Sequence, residues 1–339
     1  MTPSRLPGHV CNRCFFLALA LACLLTLGLP FWLTSTPLYC RHSQVFWDPV
    51  DCYKYTLRDQ TADIVFVGDS SLANGIRPRR IAAALGLSGI NLGEPGGIID
   101  YAPYRLLDHY LRDNRRPRLI VLYLNPWGHV GGTGDDERLW YDAARFELRH
   151  ATAGELAGFF LDDPRRLIRY PAVTLAAGPG QVSASGAWWH AAVGEMDAED
   201  GYIAPWRPER VGQPAPGLLA DDCVLPRRPV DPSREAIRRF RERYQRDGTS
   251  VLVYVAPVPE CDASREEIAA AWAGVADNHP ASLPGHDFVA DDWRAHVTLA
   301  GADAATDQMI AFLASPQAGP ALSLRLTGAA ALPAPAQQP

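Results

Sequence analysis

The run Asp63-Ile64-Val65-Phe66-Val67-Gly68-Asp69-Ser70-Ser71 decides the fold. Ile64 to Val67 are β-branched or aromatic with no polar residue among them, the pattern of a short strand buried on both faces of a parallel sheet. Gly68 ends the strand at a turn, and a helix should follow. At the carboxyl edge of such a sheet, a serine on this turn projects into the crevice where ligands bind. Its own N–H points at the same spot.

Working outward, Ser88–Leu92, Arg118–Leu124 and Ser250–Ala256 read as further buried strands, with a short fifth near Asp287–Ala290. Helical patterns fall between them, around Pro78–Leu85 and Ala102–Asn114. A third begins at an Asp231 N-cap with Pro232 in the first turn, places Ile237, Phe240 and Tyr244 on one face, and closes at Gly248. A final helix covers about Leu299–Leu313. Strand and helix alternate, so the expectation is an α/β domain over 61–315 with a central parallel sheet of about five strands. The stretch 126–230 is too long for an ordinary connection and must carry structure of its own. It holds Trp140, Trp188, Trp189 and Trp206, which serve either as the core of this insertion or as platforms for sugar rings. The tail 316–339 ends in Leu-Pro-Ala-Pro-Ala-Gln-Gln-Pro and is expected to be disordered.

Phe15 to Leu33 is apolar apart from Thr26 and carries no charge, which matches a membrane span. With Arg5 and Arg13 before it, residues 1–14 are expected in the cytoplasm and 15–34 in the inner membrane as an uncleaved single-pass anchor. Everything after the 35–60 connector would then lie in the periplasm. A cleavable signal peptide is the alternative, but the apolar stretch is long for one and no small-x-small site follows it. Cys40, Cys52, Cys223 and Cys261 lie beyond the span, an even number where disulfides can form. Pairing Cys40 with Cys52 and Cys223 with Cys261 is one of three arrangements open to four cysteines. Cys11 and Cys14 lack the second ligand pair a metal would need, so unpaired thiols are expected. Net charge is −6 and arginines are interleaved with acids, which argues against nucleic acid as a partner. No metal or organic cofactor is implied.

Three constellations carry candidate chemistry. Gly68-Asp69-Ser70 offers a nucleophile. Asn91-Leu92-Gly93-Glu94-Pro95-Gly96-Gly97 begins inside the second strand and runs on directly after it, and a Gly96 N–H there could hold a developing oxyanion; the same block also reads as a loop that needs glycine's freedom. Asp292-Trp293-Arg294-Ala295-His296 supplies an imidazole to take the serine proton and a carboxylate to orient it. The same pair also reads as a solvated couple at a helix start.

In order and context these blocks resemble the SGNH/GDSL hydrolase superfamily. Asp-Ile-Val-Phe-Val-Gly-Asp-Ser-Ser-Leu-Ala-Asn-Gly-Ile-Arg-Pro is similar to its exported branch, which includes D-alanine transfer proteins and alginate O-acetylation accessory proteins. The resemblance covers 62–125 and 231–315. It implies a three-layer αβα sandwich of flavodoxin-like type. Ser70 would be nucleophile, His296 base and acid, Asp292 its orienting partner, and Ser70, Gly96 and Asn125 the oxyanion donors. Asn125 lacks the flanking glycine and aspartate of the family block, and Asp292 and His296 have three residues between them where the family has two. The implied function is a periplasmic O-acyl esterase or O-acyltransferase on a cell-envelope polysaccharide, with a membrane-bound O-acyltransferase as a possible partner. The alternative is a non-catalytic accessory subunit that binds a glycan or such an acyltransferase.

Overall fold

A computed structural model describes residues 12–43, 45–96, 105–127, 137–177, 186–204, 225–245, 248–289 and 295–322. The chain opens with α1 (Asn12–Thr34), α2 (Pro37–His42) and α3 (Trp47–Lys54). Then come β1 (Ile64–Gly68), α4 (Ser70–Gly75), α5 (Pro78–Leu85), β2 (Gly89–Gly93), α6 (Arg105–Asp113) and β3 (Leu119–Leu124). The insertion contributes α7 (Glu137–His150), α8 (Ala153–Leu161), α9 (Arg165–Ala177) and α10 (Ala187–Ala198). The remainder is α11 (Arg234–Tyr244), β4 (Ser250–Val255), β5 (Val258–Pro259), α12 (Arg265–Trp272), β6 (Ser282–Leu283), α13 (Leu299–Leu313) and α14 (Gly319–Leu322).

The central sheet has four parallel strands in the order β2-β1-β3-β4, and β5 and β6 form a separate parallel pair. Every residue of the central sheet's strands except Ser250 is buried, which is why β1, β3 and β4 read as continuous apolar runs. Alternate side chains divide between two cores. Val65, Val67, Ile120, Leu122, Val253 and Val255 face α6, α11, α12 and the inner side of α10. Phe66, Val121, Tyr123 and Tyr254 face α4, α5 and α13. Helices thus cover both faces of the sheet.

Both edges are closed. The Asn91 N–H of β2 donates to the Asp200 carbonyl of the insertion. On β4, Asp277 accepts from the Val253 N–H, and the Asn278 amide both accepts from and donates to Val255. An edge strand left bare would offer these groups to a second chain.

Two expectations need correction. The segment near Asp287–Ala290 is not a strand of the sheet: Gly285–Asp287 is a 3₁₀ turn, and Phe288 makes an isolated antiparallel bridge with Val297. The β-propensity of Phe288 and Val289 is spent on that bridge, where Val289 N–H donates to the His296 carbonyl and Thr298 N–H to that of Asp287. Helix α11 begins at Arg234 with Ser233 before it, so Asp231 is not its cap. Other elements match closely, including α5, which ends on Gly86 in the left-handed region at φ 68°, and α13.

Helix α1 has a stretch, Cys14–Thr34, long and apolar enough to cross a membrane, with a mean hydropathy of 2.4. Cys40 and Cys52 form a disulfide, tying α2 to α3. Cys261 is disulfide-bonded too, and its expected partner Cys223 lies outside the described residues. Cys14 is a free thiol, and Cys11 lies outside. So does most of the tail 316–339, from residue 323 onward.

Gly301 marks where α13 packs against the 3₁₀ turn. A β-carbon there would stand 2.0 Å from the Asp287 carbonyl oxygen, so helix and turn must separate to admit one. Gly301→Ala is expected to lower unfolding free energy by about 1–3 kcal/mol. Urea denaturation of the detergent-solubilised chain, followed by tryptophan fluorescence, checks it; unchanged stability would show that this contact yields freely.

Candidate functional site

The site is built where β1 and β3 end side by side. Gly68 lies opposite both Gly93 and Tyr123 in the ladder, and the backbones approach so closely that a β-carbon on Gly68 would overlap the Tyr123 carbonyl oxygen, 1.9 Å away. The order of connections reverses between β1 and β3, the place where open parallel sheets leave a crevice beyond their carboxyl ends.

Asp69 follows as the N-cap of α4. One carboxylate oxygen accepts from both the N–H and the hydroxyl of Ser71, and the other accepts the Asn125 N–H at 2.9 Å. Asp69 is therefore a clamp that ties the serine turn to the end of β3. It also distinguishes the adjacent serines. Ser71 is buried with its hydroxyl committed to Asp69, whereas Ser70 is half-buried.

The Ser70 Oγ meets His296 Nε2 at 2.8 Å, across 226 positions of chain. His296 is half-buried and is held by the bridge between Val289 and His296 and by the start of α13, whose N-cap Thr298 is tethered to the Asp287 carbonyl. His286, the other imidazole in this part of the chain, sits on the 3₁₀ turn with 68% of its side chain exposed and Asp287 as its neighbour at 3.8 Å. It is His296 that makes the serine contact. Asp292 lies outside the described residues.

Ser70 is the first residue of α4, so its N–H has no acceptor within the helix. Asn125 is buried beside the turn. Its side-chain oxygen accepts the N–H of Trp127 at 3.0 Å, leaving the amide NH₂ as the group that can donate elsewhere. Gly96 is half-buried and helical, just past the short loop that begins where Glu94 N–H donates to the Gly68 carbonyl at 3.0 Å. Among the described residues, no atom outside its chain neighbours stands within 4 Å of where its β-carbon would be. An imidazole in contact with a half-buried hydroxyl can activate it for attack on a carbonyl, given donors that meet the developing oxyanion.

Other site-supporting residues are not visible from motif reading. Asn91, at the strand end of the glycine-rich block, is fully buried and donates to the carbonyls of Leu72 and Ile76 while accepting the Gly93 N–H. It fastens the serine helix to β2. Asn74 does likewise toward the insertion, donating to the Ile203 carbonyl. Trp140 and Trp188 are buried in apolar clusters, so they serve as core and not as sugar platforms; Trp206 lies outside the described residues.

Behind the loop lies a buried charged group from the segment expected to be a mere connector. Lys54 donates to the Gly93 carbonyl at 2.5 Å, and burial pulls its pKa down to about 7 against the pull of Glu94 and Asp51. Burial pushes Glu94 well above the usual carboxylate range and Asp51 up to about 8 despite Arg149. Asp48 goes the other way: burial raises it, but Arg145 and Arg149 together hold it below its ordinary value. Those two arginines belong to α7, so this network joins α3 to the insertion.

Comparison with known protein families, with curated proteins and with solved structures finds no match to this chain.

A carboxyl whose folded pKa is raised binds more protons folded than unfolded, so stability falls as pH climbs from the unfolded to the folded value. For Asp51 that window runs from 3.8 to about 8. Asp51→Asn is expected to gain stability relative to the parent progressively across it and to show a constant difference below it. Denaturation midpoints between pH 4 and 8 check this, and a pH-independent difference would contradict it.

Proposed function

We propose that this chain is a membrane-anchored serine esterase or O-acyltransferase of SGNH type that acts on acyl esters of a cell-envelope polysaccharide. The contact between Ser70 Oγ and His296 Nε2 at 2.8 Å carries the reading. The strand order β2-β1-β3-β4 supports the flavodoxin-like sandwich, whose order is 2-1-3-4-5 with ligands at the β1/β3 switch point. The resemblance of the Gly-Asp-Ser, Asn-x-Gly and His296 blocks to that superfamily supports it further.

In this reading His296 accepts the Ser70 proton as Oγ attacks the ester carbonyl. The N–H groups of Ser70 and Gly96 and the Asn125 amide stabilise the tetrahedral oxyanion. His296 then returns the proton to the departing alcohol, and water or a sugar hydroxyl takes the acyl group. Asp292 orients the imidazole. The length and apolar character of α1 support an inner-membrane anchor with the main domain in the periplasm, and the disulfide bonding of Cys40, Cys52 and Cys261 suits an oxidising compartment. A membrane-bound O-acyltransferase is the partner this placement would serve.

Full-length protein in detergent is expected to hydrolyse 4-nitrophenyl acetate. Ser70→Ala and His296→Ala should each lower the rate by about 10³-fold or more. Equal rates in parent and Ser70→Ala would reject the enzyme and favour a non-catalytic, polymer-binding subunit.

A further inference from the structure

The helical insertion has an apolar surface that its own packing does not explain. Helices α8 and α9 bury Phe159, Phe160 and Tyr170 inward, against Trp140 and Tyr141 of α7. The outward side of α8 is apolar as well, and α9 adds Leu167 and Ile168 beside the exposed Arg165 and Arg169. The exposed positions of α8 are Ala153, Gly154, Ala157, Gly158 and Leu161, with Glu155 as its single charged residue. Leu161 is 68% exposed and Ile168 71%, with Leu167 beside them. A helix facing water carries polar residues there, so this face is suited to another environment.

Its position says which one. Phe160 packs edge-on to Phe31 of α1, Tyr170 stacks on Phe31 at 5.0 Å, and the Tyr170 hydroxyl donates to Thr34 Oγ1 at 2.8 Å. Leu161 directly follows Phe160, and Ile168 stands two residues before Tyr170. Phe160 and Tyr170 thus set the junction of α8 and α9 beside the last turn of α1, where Trp32 is exposed, as is Leu38 of α2 just after it. Whatever surrounds α1 at that level meets the turn between α8 and α9. Arg165, which is ion-paired with Asp163 at 3.2 Å, and Arg169 are exposed on the first turns of α9, and Asp162 is exposed before them, so the apolar side chains are rimmed by charge as at a headgroup layer.

We infer that α8 and α9 form a platform lying in the lipid–water interface next to α1, with Leu161, Leu167 and Ile168 sunk among the headgroups and upper acyl chains. The inference rests on α1 being a membrane anchor. The platform would fix the height and tilt of the whole domain, because α7, on which α8 and α9 pack, is joined to α3 through Asp48, Arg145 and Arg149. Ser70 would then face a set distance from the bilayer.

The test is nitroxide labelling of the full chain in phosphatidylethanolamine/phosphatidylglycerol vesicles. Leu161→Cys, Leu167→Cys or Ile168→Cys is introduced after Cys11, Cys14 and Cys23 are changed to serine, with Leu21→Cys marking α1 and Glu242→Cys marking exposed surface. Collisions with oxygen should outweigh those with nickel-EDDA at 161, 167 and 168, as at 21, and the reverse should hold at 242. Nickel access at 161, 167 and 168 equal to that at 242, with Leu21→Cys in lipid, would overturn the platform alone. Nickel access at Leu21→Cys would overturn the anchor and the platform together. Labels shielded from both reagents would mean that protein covers this face, and would also overturn the inference.

Discussion

A two-residue antiparallel bridge carries more of this structure than its size suggests. The Val289 N–H bonded to the His296 carbonyl, and the Thr298 N–H bonded to that of Asp287, fold the chain back on itself just before α13. That reversal delivers an imidazole to the carboxyl edge of a sheet whose nearest strand, β1, was completed more than two hundred residues earlier. Gly301 lets α13 press against the same turn. On the other side of the contact, Asp69 and Asn91 pin the serine helix to β3 and β2. Each partner in the Ser70–His296 contact is therefore fixed by backbone hydrogen bonds of its own, and the contact does not have to supply its own order.

What the sequence revealed follows from which interactions are local. Parallel strands buried on both faces show as unbroken apolar runs, so β1, β3 and β4 stand out in the chain. The serine turn is legible because its strand and helix signals adjoin. The Phe288 and Val289 run misleads for the same local reason: two residues with strong strand propensity look alike whether they pair within a sheet or make a single bridge. The charged cluster of Asp48, Asp51, Lys54 and Glu94 was hidden because its burial depends on arginines and backbone far along the chain. Ionisable side chains in a short segment ordinarily read as solvated. The part played by Asn91 was hidden too, since its place at the end of a strand does not show that its side chain binds three backbone groups of its surroundings.

The insertion is more than an appendage to the sheet. It seals the edge of β2 through Asp200, accepts Asn74 from the serine helix through Ile203, and reaches α1 through Tyr170. Site, connector and apolar helix are joined through it. Trp140 and Trp188 are part of that framework, whereas Trp189 is half-buried and belongs to neither apolar cluster.

The central claim is that His296 activates Ser70. A fluorophosphonate probe tests it most directly, because such reagents phosphonylate serines whose hydroxyl is activated by a neighbouring base. Intact-mass and peptide analysis of the treated full-length chain should find one adduct, on Ser70, which is lost in His296→Ala while Ser71 stays unmodified. Absence of any adduct, or equal labelling of Ser70 with and without His296, would contradict the account.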